Sequence, residues 1–251
     1  MPHRRTGAYA EIAFQCDRGQ RFQLHLPRPN WMLLGIDESG RGPVIGDLVV
    51  AGVLLPSWNH QQALREKGVR DSKRLSRKKR ELLFPVICDM ATRVITKRVS
   101  AEEIDSWRSL GGSLNELEAK VFAEVIAEAR PRGVVVDCAD VRPDAFLSRI
   151  RRYSKLPKDV VCEHRADQTY PVVSAASIVA KVLRDRSIGE LSWKYGPVGS
   201  GYCSDPRTIE FLKRWFERTG GFPRFTRTTW STCLRISREA GPTVRPRESQ
   251  D

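Results

Sequence analysis

Two short apolar runs in this chain each end on carboxylates. Met32 to Ile36 leads straight into Asp37 and Glu38, and Val134 to Val136 leads into Asp137. Apolar runs this short, bounded by turn signals, read as buried strands. Each strand then finishes with acid groups at its end, where α/β sheets carry their chemistry. Further strands are expected over Asp47 to Leu55, closed by Pro56, over Arg93 to Val99, and over Val160 to Cys162. Helix patterns lie between them. Ser113 and Glu116 have capping-box spacing, and Leu114, Leu117, Val121, Val125 and Ala129 recur at helical intervals until Pro131-Arg132-Gly133. Ser174 to Arg186 reads as a buried, Ala-rich helix. Asp205 as N-cap, Pro206 as first residue and Gly220-Gly221 as stop mark a last helix. Strands mixed with crossover helices predict an α/β fold with a helical C-terminal appendage.

Composition bounds this picture. A chain of 251 residues that is 40% hydrophobic can bury a sizeable core in one large domain with an appendage. Residues 1–30 are expected to form an N-terminal extension. Ile12, Phe14 and Cys16, then Phe22, Leu24 and Leu26, alternate around Asp17-Arg18-Gly19-Gln20, which predicts a β-hairpin. The main body is expected over 31–187, a helical region over 188–240, and a loose Pro- and charge-rich tail over 241–251. No apolar run of about 18 residues is present, so no membrane span is expected. Met1-Pro2-His3-Arg4-Arg5 is not followed by an apolar signal region, so a cytoplasmic place, or a nuclear one in a eukaryote, is expected. The six cysteines form no C-x-x-C pair and are expected as free thiols. Lys and Arg number 43 against 30 Asp and Glu, a net +13 that favours a polyanionic partner.

Carboxylates gathered at strand ends repel one another and resist ionisation. A divalent cation removes that penalty, and oxygen ligands without His or Cys point to Mg²⁺ or Mn²⁺. A lone Asp-Glu pair would more simply begin a turn. After this pair come Ser39-Gly40-Arg41-Gly42-Pro43. Glycines let backbone approach a ligand, and Arg41 could pair with phosphate. From Arg65 to Arg80 there are nine Lys or Arg residues, most of them fitting a solvated helical face. Lys73, within Asp71-Ser72-Lys73, is the one expected to reach the site. Taken alone, Asp167 is equally a helix-start group or a ligand. Tyr202, after Gly199-Ser200-Gly201, is either a core ring or a ring that stacks on a sugar or base.

Together these residues resemble type 2 ribonuclease H, ribonuclease HII, and in particular its archaeal and eukaryotic catalytic-subunit branch. The resemblance rests on Gly35 to Pro43, on Asp71-Ser72-Lys73 and on the strand ending at Asp137. It continues through Ala166-Asp167 with Tyr170 to Ser177, and through Gly199 to Pro206. These segments fall in the family's order between about residue 32 and about residue 232. Ser39 and Cys203 depart from the family pattern, which has alanine and proline there, and residues 1–30 fall outside it.

The resemblance implies a ribonuclease H-like α/β fold: a mixed five-stranded sheet with flanking helices and a small C-terminal helical region, with 31–187 as the catalytic domain. It implies that Asp37, Glu38, Asp137 and Asp167 are catalytic and hold a two-metal site for Mg²⁺ or Mn²⁺. Asp140 is a rival for the third ligand. The resemblance also implies that Gly40, Arg41 and Gly42 contact a ribonucleotide 2′-hydroxyl and that Tyr202 packs on the neighbouring sugar. The implied activity is cleavage of RNA paired with DNA and incision 5′ to ribonucleotides embedded in duplex DNA. A monomer is expected, with accessory subunits unspecified. Competing readings are another ribonuclease H-like nuclease, such as a resolvase or integrase, and a non-catalytic nucleic-acid-binding protein. Four carboxylates near phosphate have no use in a binding module.

Overall fold

The first apolar run becomes β1 (Leu33–Ser39), which returns through a turn at Gly46 into β2 (Leu48–Leu55). The structure, a computed structural model, describes residues 32–240. The expected N-terminal hairpin and the tail 241–251 lie outside the described residues. After β2 come α1 (Asn59–Glu66), a 3-10 turn at Ser72–Arg74, α2 (Arg77–Met90), β3 (Arg93–Val99) and α3 (Ala101–Ser109). Then follow α4 (Leu114–Ala129), β4 (Gly133–Asp137), α5 (Pro143–Tyr153), β5 (Asp159–Glu163) and the single turn α6 (Ala166–Thr169). The chain closes with α7 (Pro171–Tyr195), α8 (Pro206–Thr219) and α9 (Ser231–Glu239).

The five strands form one mixed sheet in the order β3-β2-β1-β4-β5, the architecture the resemblance implies. β1 runs antiparallel to β2 and parallel to β4. Ile36 pairs with Val136. Asp37 and Asp137 therefore follow at one level, at adjacent C-terminal strand ends and on one face.

Alternation divides the sheet's burial between two helical layers. Leu33, Val49, Ala51, Val53 and Val135 pack with α1, α2 and α7 on one face. Leu34, Ile36, Val50, Val134 and Val136 pack with α3, α4 and α5 on the other. α7 lies against β1 at backbone distance: a Cβ added to Gly35 would come within 2.5 Å of the Val172 carbonyl. The small side chains Ser174, Ala175, Ala176 and Ser177 are all buried there. A third cluster joins Val44 and Ile45 to α8 and α9.

The helix expected over Ser174 to Arg186 is longer at both ends. Pro171 occupies its first turn, where a missing N–H does no harm. Burial is continuous from Pro171 to Ala180, so no amphipathic edge marks the start in the sequence. Helices α1, α2, α3, α5, α6 and α9 were not legible as elements. α2 shows why: its first turns are Arg77-Lys78-Lys79-Arg80, and Pro85 sits inside it.

Candidate active site

β1, still paired with β2 there, carries Asp37 and Glu38 beside Asp137 of β4. α6 adds Asp167 at the foot of α7. Asp37 and Asp167 are buried, while Glu38 and Asp137 are half-buried. Backbone donors steady two of them. The Glu38 N–H donates to Asp37 Oδ1 at 2.7 Å, and the Ala166 N–H donates to Asp137 Oδ1 at 2.7 Å. Ser72 and Ser177 share a 2.8 Å hydroxyl hydrogen bond, tying the turn that bears Lys73 to α7 beside Asp37. The Lys73 charge acts on Asp167, Asp137 and Glu38, lowering the proton affinity of each.

All four carboxylates bind protons more tightly than usual. Burial pushes Asp37 well above the ordinary range, and the Glu38 and Asp137 charges add to this. Burial also raises Glu38. Asp137 reaches about 7, through burial first and then the Glu38 and Asp167 charges. Burial raises Asp167 against the opposing Lys73 charge, with Asp71 adding to the rise. Glu38 Oε2 and both Asp167 carboxylate oxygens are buried with no hydrogen-bond partner among the described residues. Buried oxygens of this kind normally find partners. Among the described residues no three His, Cys, Asp or Glu side chains converge into a ready-made cation cage. The donor set nonetheless suits a hard divalent cation: it is all oxygen, crowded enough to resist ionisation, and partly unpartnered.

The loop after β1 turns sharply at Gly40, with φ +98°. Arg41, which the sequence allows to pair with phosphate, bonds Glu118 and Asn115 of α4 through its guanidinium in this structure. Glu118 is fully buried, and burial followed by the Glu38 charge raises its proton affinity. The N–H groups of Arg41 and Gly42 reach no acceptor among the described residues. The Tyr202 turn lies against this loop. A Cβ on Gly42 would sit 4.0 Å from Tyr202 Cε1, and the Val44 and Ile45 N–H groups donate to the Gly201 carbonyl at 2.8 and 3.1 Å. Ser39 is buried at the end of β1. The described cysteines, Cys88, Cys138, Cys162, Cys203 and Cys233, are free thiols.

Asp140, the rival ligand, is engaged elsewhere. It pairs with Arg149. Burial pushes its carboxyl up, but hydrogen bonds from Asn115 and Arg142 outweigh this and leave it lowered. Three buried charges were not singled out in the sequence: Glu118, Arg184 and Arg227. Two left a signal. Glu118 interrupts the apolar stripe that Leu114, Leu117 and Val121 draw on α4. Arg184 sits four residues from both Ala180 and Ile188. Arg227 lies outside any periodic element and left none.

The family model for Ribonuclease HII matches residues 34–233 of this chain. The Ribonuclease HII of Pyrococcus horikoshii is 45% identical over 204 residues, spanning 80% of this chain and 91% of that protein. The crystal structure of the ribonuclease H2 from Pyrococcus horikoshii OT3 superposes with a TM-score of 0.78 at 42% identity. The match covers 84% of this chain and all (100%) of the other. The structure of the PCNA:RNase HII complex from Archaeoglobus fulgidus aligns with a TM-score of 0.72 at 43% identity, over 79% of this chain and 95% of that one.

Proposed function

The chain belongs to the ribonuclease HII family and is a ribonuclease H; from that premise we propose that it is a divalent-cation-dependent endonuclease. Its substrates are the RNA strand of RNA/DNA hybrids and ribonucleotides embedded in duplex DNA, which it incises on the 5′ side. The products carry 5′-phosphate and 3′-hydroxyl ends. The observation that supports this reading most is the contrast across one short loop. On one side are four carboxylates with raised proton affinity and unpartnered oxygens. On the other are backbone N–H groups with no acceptor among the described residues.

Asp37, Glu38, Asp137 and Asp167 would hold Mg²⁺ or Mn²⁺. Bound there, the cation would activate water, neutralise charge on the scissile phosphate and stabilise the leaving 3′-oxygen. The chain's own groups do the rest. Lys73 offsets part of the carboxylate charge, which otherwise repels a phosphodiester. The Arg41 and Gly42 N–H groups donate to a 2′-hydroxyl oxygen, the group that marks RNA against DNA. Arg41 serves this through its backbone, since its side chain is held by Glu118 and Asn115. Tyr202, 36% exposed, offers its ring to the sugar next to the ribonucleotide. The expected boundary at 187/188 falls inside α7 (Pro171–Tyr195), so the catalytic domain runs from β1 through α7, and the segment after it, with α8 and α9, carries Tyr202. The Archaeoglobus relative was solved with PCNA, so a sliding clamp is a partner class to test here.

A DNA duplex carrying one ribonucleotide, incubated with the protein and Mg²⁺ or Mn²⁺, should be cut 5′ to that ribonucleotide. Asp37→Asn should slow the cut by roughly 100-fold or more, as loss of a group acting on the reacting centre does. Absence of metal-dependent incision would refute the proposal. Equal cutting of an all-DNA duplex would refute the 2′-hydroxyl reading.

A further inference from the structure

Two arginines lie buried behind the substrate-facing loops, outside the mechanism above. Arg227 is fully buried and Arg184 is 2% exposed. Taking a guanidinium out of water is costly unless its donors are matched. Arg227 matches them with backbone carbonyls. Its Nη2 donates to Gly40 O at 2.6 Å and to Gly46 O at 2.9 Å. Its Nη1 donates to Arg41 O at 2.9 Å, and its Nε to Gly46 O at 3.1 Å. Trp230, whose ring centre lies 5.1 Å from the Arg227 guanidinium, adds an indole N–H to Gly42 O at 3.2 Å. The carbonyls of Gly40, Arg41 and Gly42 are thus all held from behind. A peptide whose carbonyl is held on one side turns its neighbouring N–H groups to the other, the polarity needed to grip a hydroxyl oxygen.

Arg184 holds the second loop through fewer bonds, its Nε having no hydrogen-bond partner among the described residues. Its Nη2 donates to Ser200 O at 2.9 Å, and its guanidinium carbon lies 4.9 Å from the centre of the Tyr202 ring. Its stem touches the first loop as well: a Cβ on Gly40 would come within 3.1 Å of Arg184 Cδ. One side chain therefore contacts both loops.

We propose that Arg227 and Arg184 are positioning residues for ribose recognition. Arg227 aims the N–H groups of the Gly40–Gly42 loop, and Arg184 sets the Tyr202 ring at a fixed distance from them. Neither touches substrate. The inference rests on the 2′-hydroxyl reading proposed above and deepens it.

The test is single-turnover cleavage in Mg²⁺ by the full-length protein. Three duplexes are compared: one with a single ribonucleotide, a long RNA/DNA hybrid, and an all-DNA control. Arg227→Lys keeps the charge but cannot reach three carbonyls. Its rate constant should fall about tenfold or more on both ribonucleotide substrates, while duplex affinity by fluorescence anisotropy changes less than about twofold. Trp230→Phe, which removes one hydrogen bond, should show a smaller loss of the same kind. Arg184→Lys should lose more on the single ribonucleotide than on the hybrid, and Tyr202→Ala, which removes the ring offered to the neighbouring sugar, should show the same pattern. A purely structural role would reduce the amount of competent enzyme and leave the rate constants intact on every substrate; that result overturns the inference. Should Arg227→Lys fail to fold, unchanged rate constants in both Trp230→Phe and Arg184→Lys overturn it equally. A wild-type protein indifferent to the 2′-hydroxyl overturns the parent reading, whereas a selective wild type with unaltered variants overturns the inference alone.

Discussion

At Asp137 the folded environment opposes the behaviour that the residue has in an open chain. In an unfolded chain its carboxyl titrates near 3.8, and in the fold near 7, because burial and the Glu38 and Asp167 charges oppose its ionisation. The folded state then binds the proton more tightly. The stability this contributes is complete below about pH 3.8 and is lost as pH rises through about 7. In chelator, the melting temperature should therefore decline between pH 5 and pH 8, and Asp137→Asn should flatten that decline. Added Mg²⁺ or Mn²⁺ should raise the melting temperature more at pH 8 than at pH 5, since carboxylates must lose protons to bind metal. Thermal melts at both pH values decide this, and a metal effect equal at the two would be incompatible with the ligand set. The four carboxylates were legible as residues because two apolar strands run into them and a family resemblance supplied Asp167. The raised proton affinities were not, because they depend on which groups face one another across β1, β4 and α6.

Among the elements, β1 and α7 bear most of the site. They meet where Gly35 leaves room for the Val172 and Val173 backbone, which would lie 2.5 and 2.7 Å from an added Cβ. Backbone cannot rotate aside as a side chain can. Gly35→Ala should destabilise the fold by about 1–3 kcal/mol, the usual range for an overpacked core, and chemical denaturation monitored by circular dichroism would show it. Unchanged stability would mean that α7 does not press on β1 as described. Strands were the most legible elements, because a buried strand is a short apolar run with abrupt ends. α4 was legible from its Ser113 cap and apolar spacing, and the Ser113 hydroxyl does accept the Glu116 N–H at 3.2 Å. α7 was legible only in part, since a helix buried on nearly all sides loses the periodicity that marks its limits.

For the molecule as a whole, the +13 charge is the property that bears most on substrate encounter. Binding of a duplex to the Asp37→Asn protein, measured without cleavage, should weaken about tenfold or more between roughly 50 and 200 mM salt through counterion release. A flat salt response would mean that the excess charge lies away from the duplex. Among the described residues the sheet's two faces are covered by different sets of helices, and the site lies at the strand ends, beside the loop after β1 and the Tyr202 turn.

The sequence by itself determined the acidic strand ends, the glycine-flanked Arg41 and the family, because each is written in contiguous residues or in order along the chain; the mixed sheet came only as what the family resemblance implied. Only the tertiary structure decided what those residues face. It turned the Arg41 side chain inward to Glu118, laid the Tyr202 turn against Gly42, and placed Arg184 and Arg227 behind both loops. The reason is physical: a buried charge is costly unless distant segments bring it partners, as the Gly40, Arg41 and Gly46 carbonyls do for Arg227. Arg227 reaches Gly40 from 187 residues away along the chain.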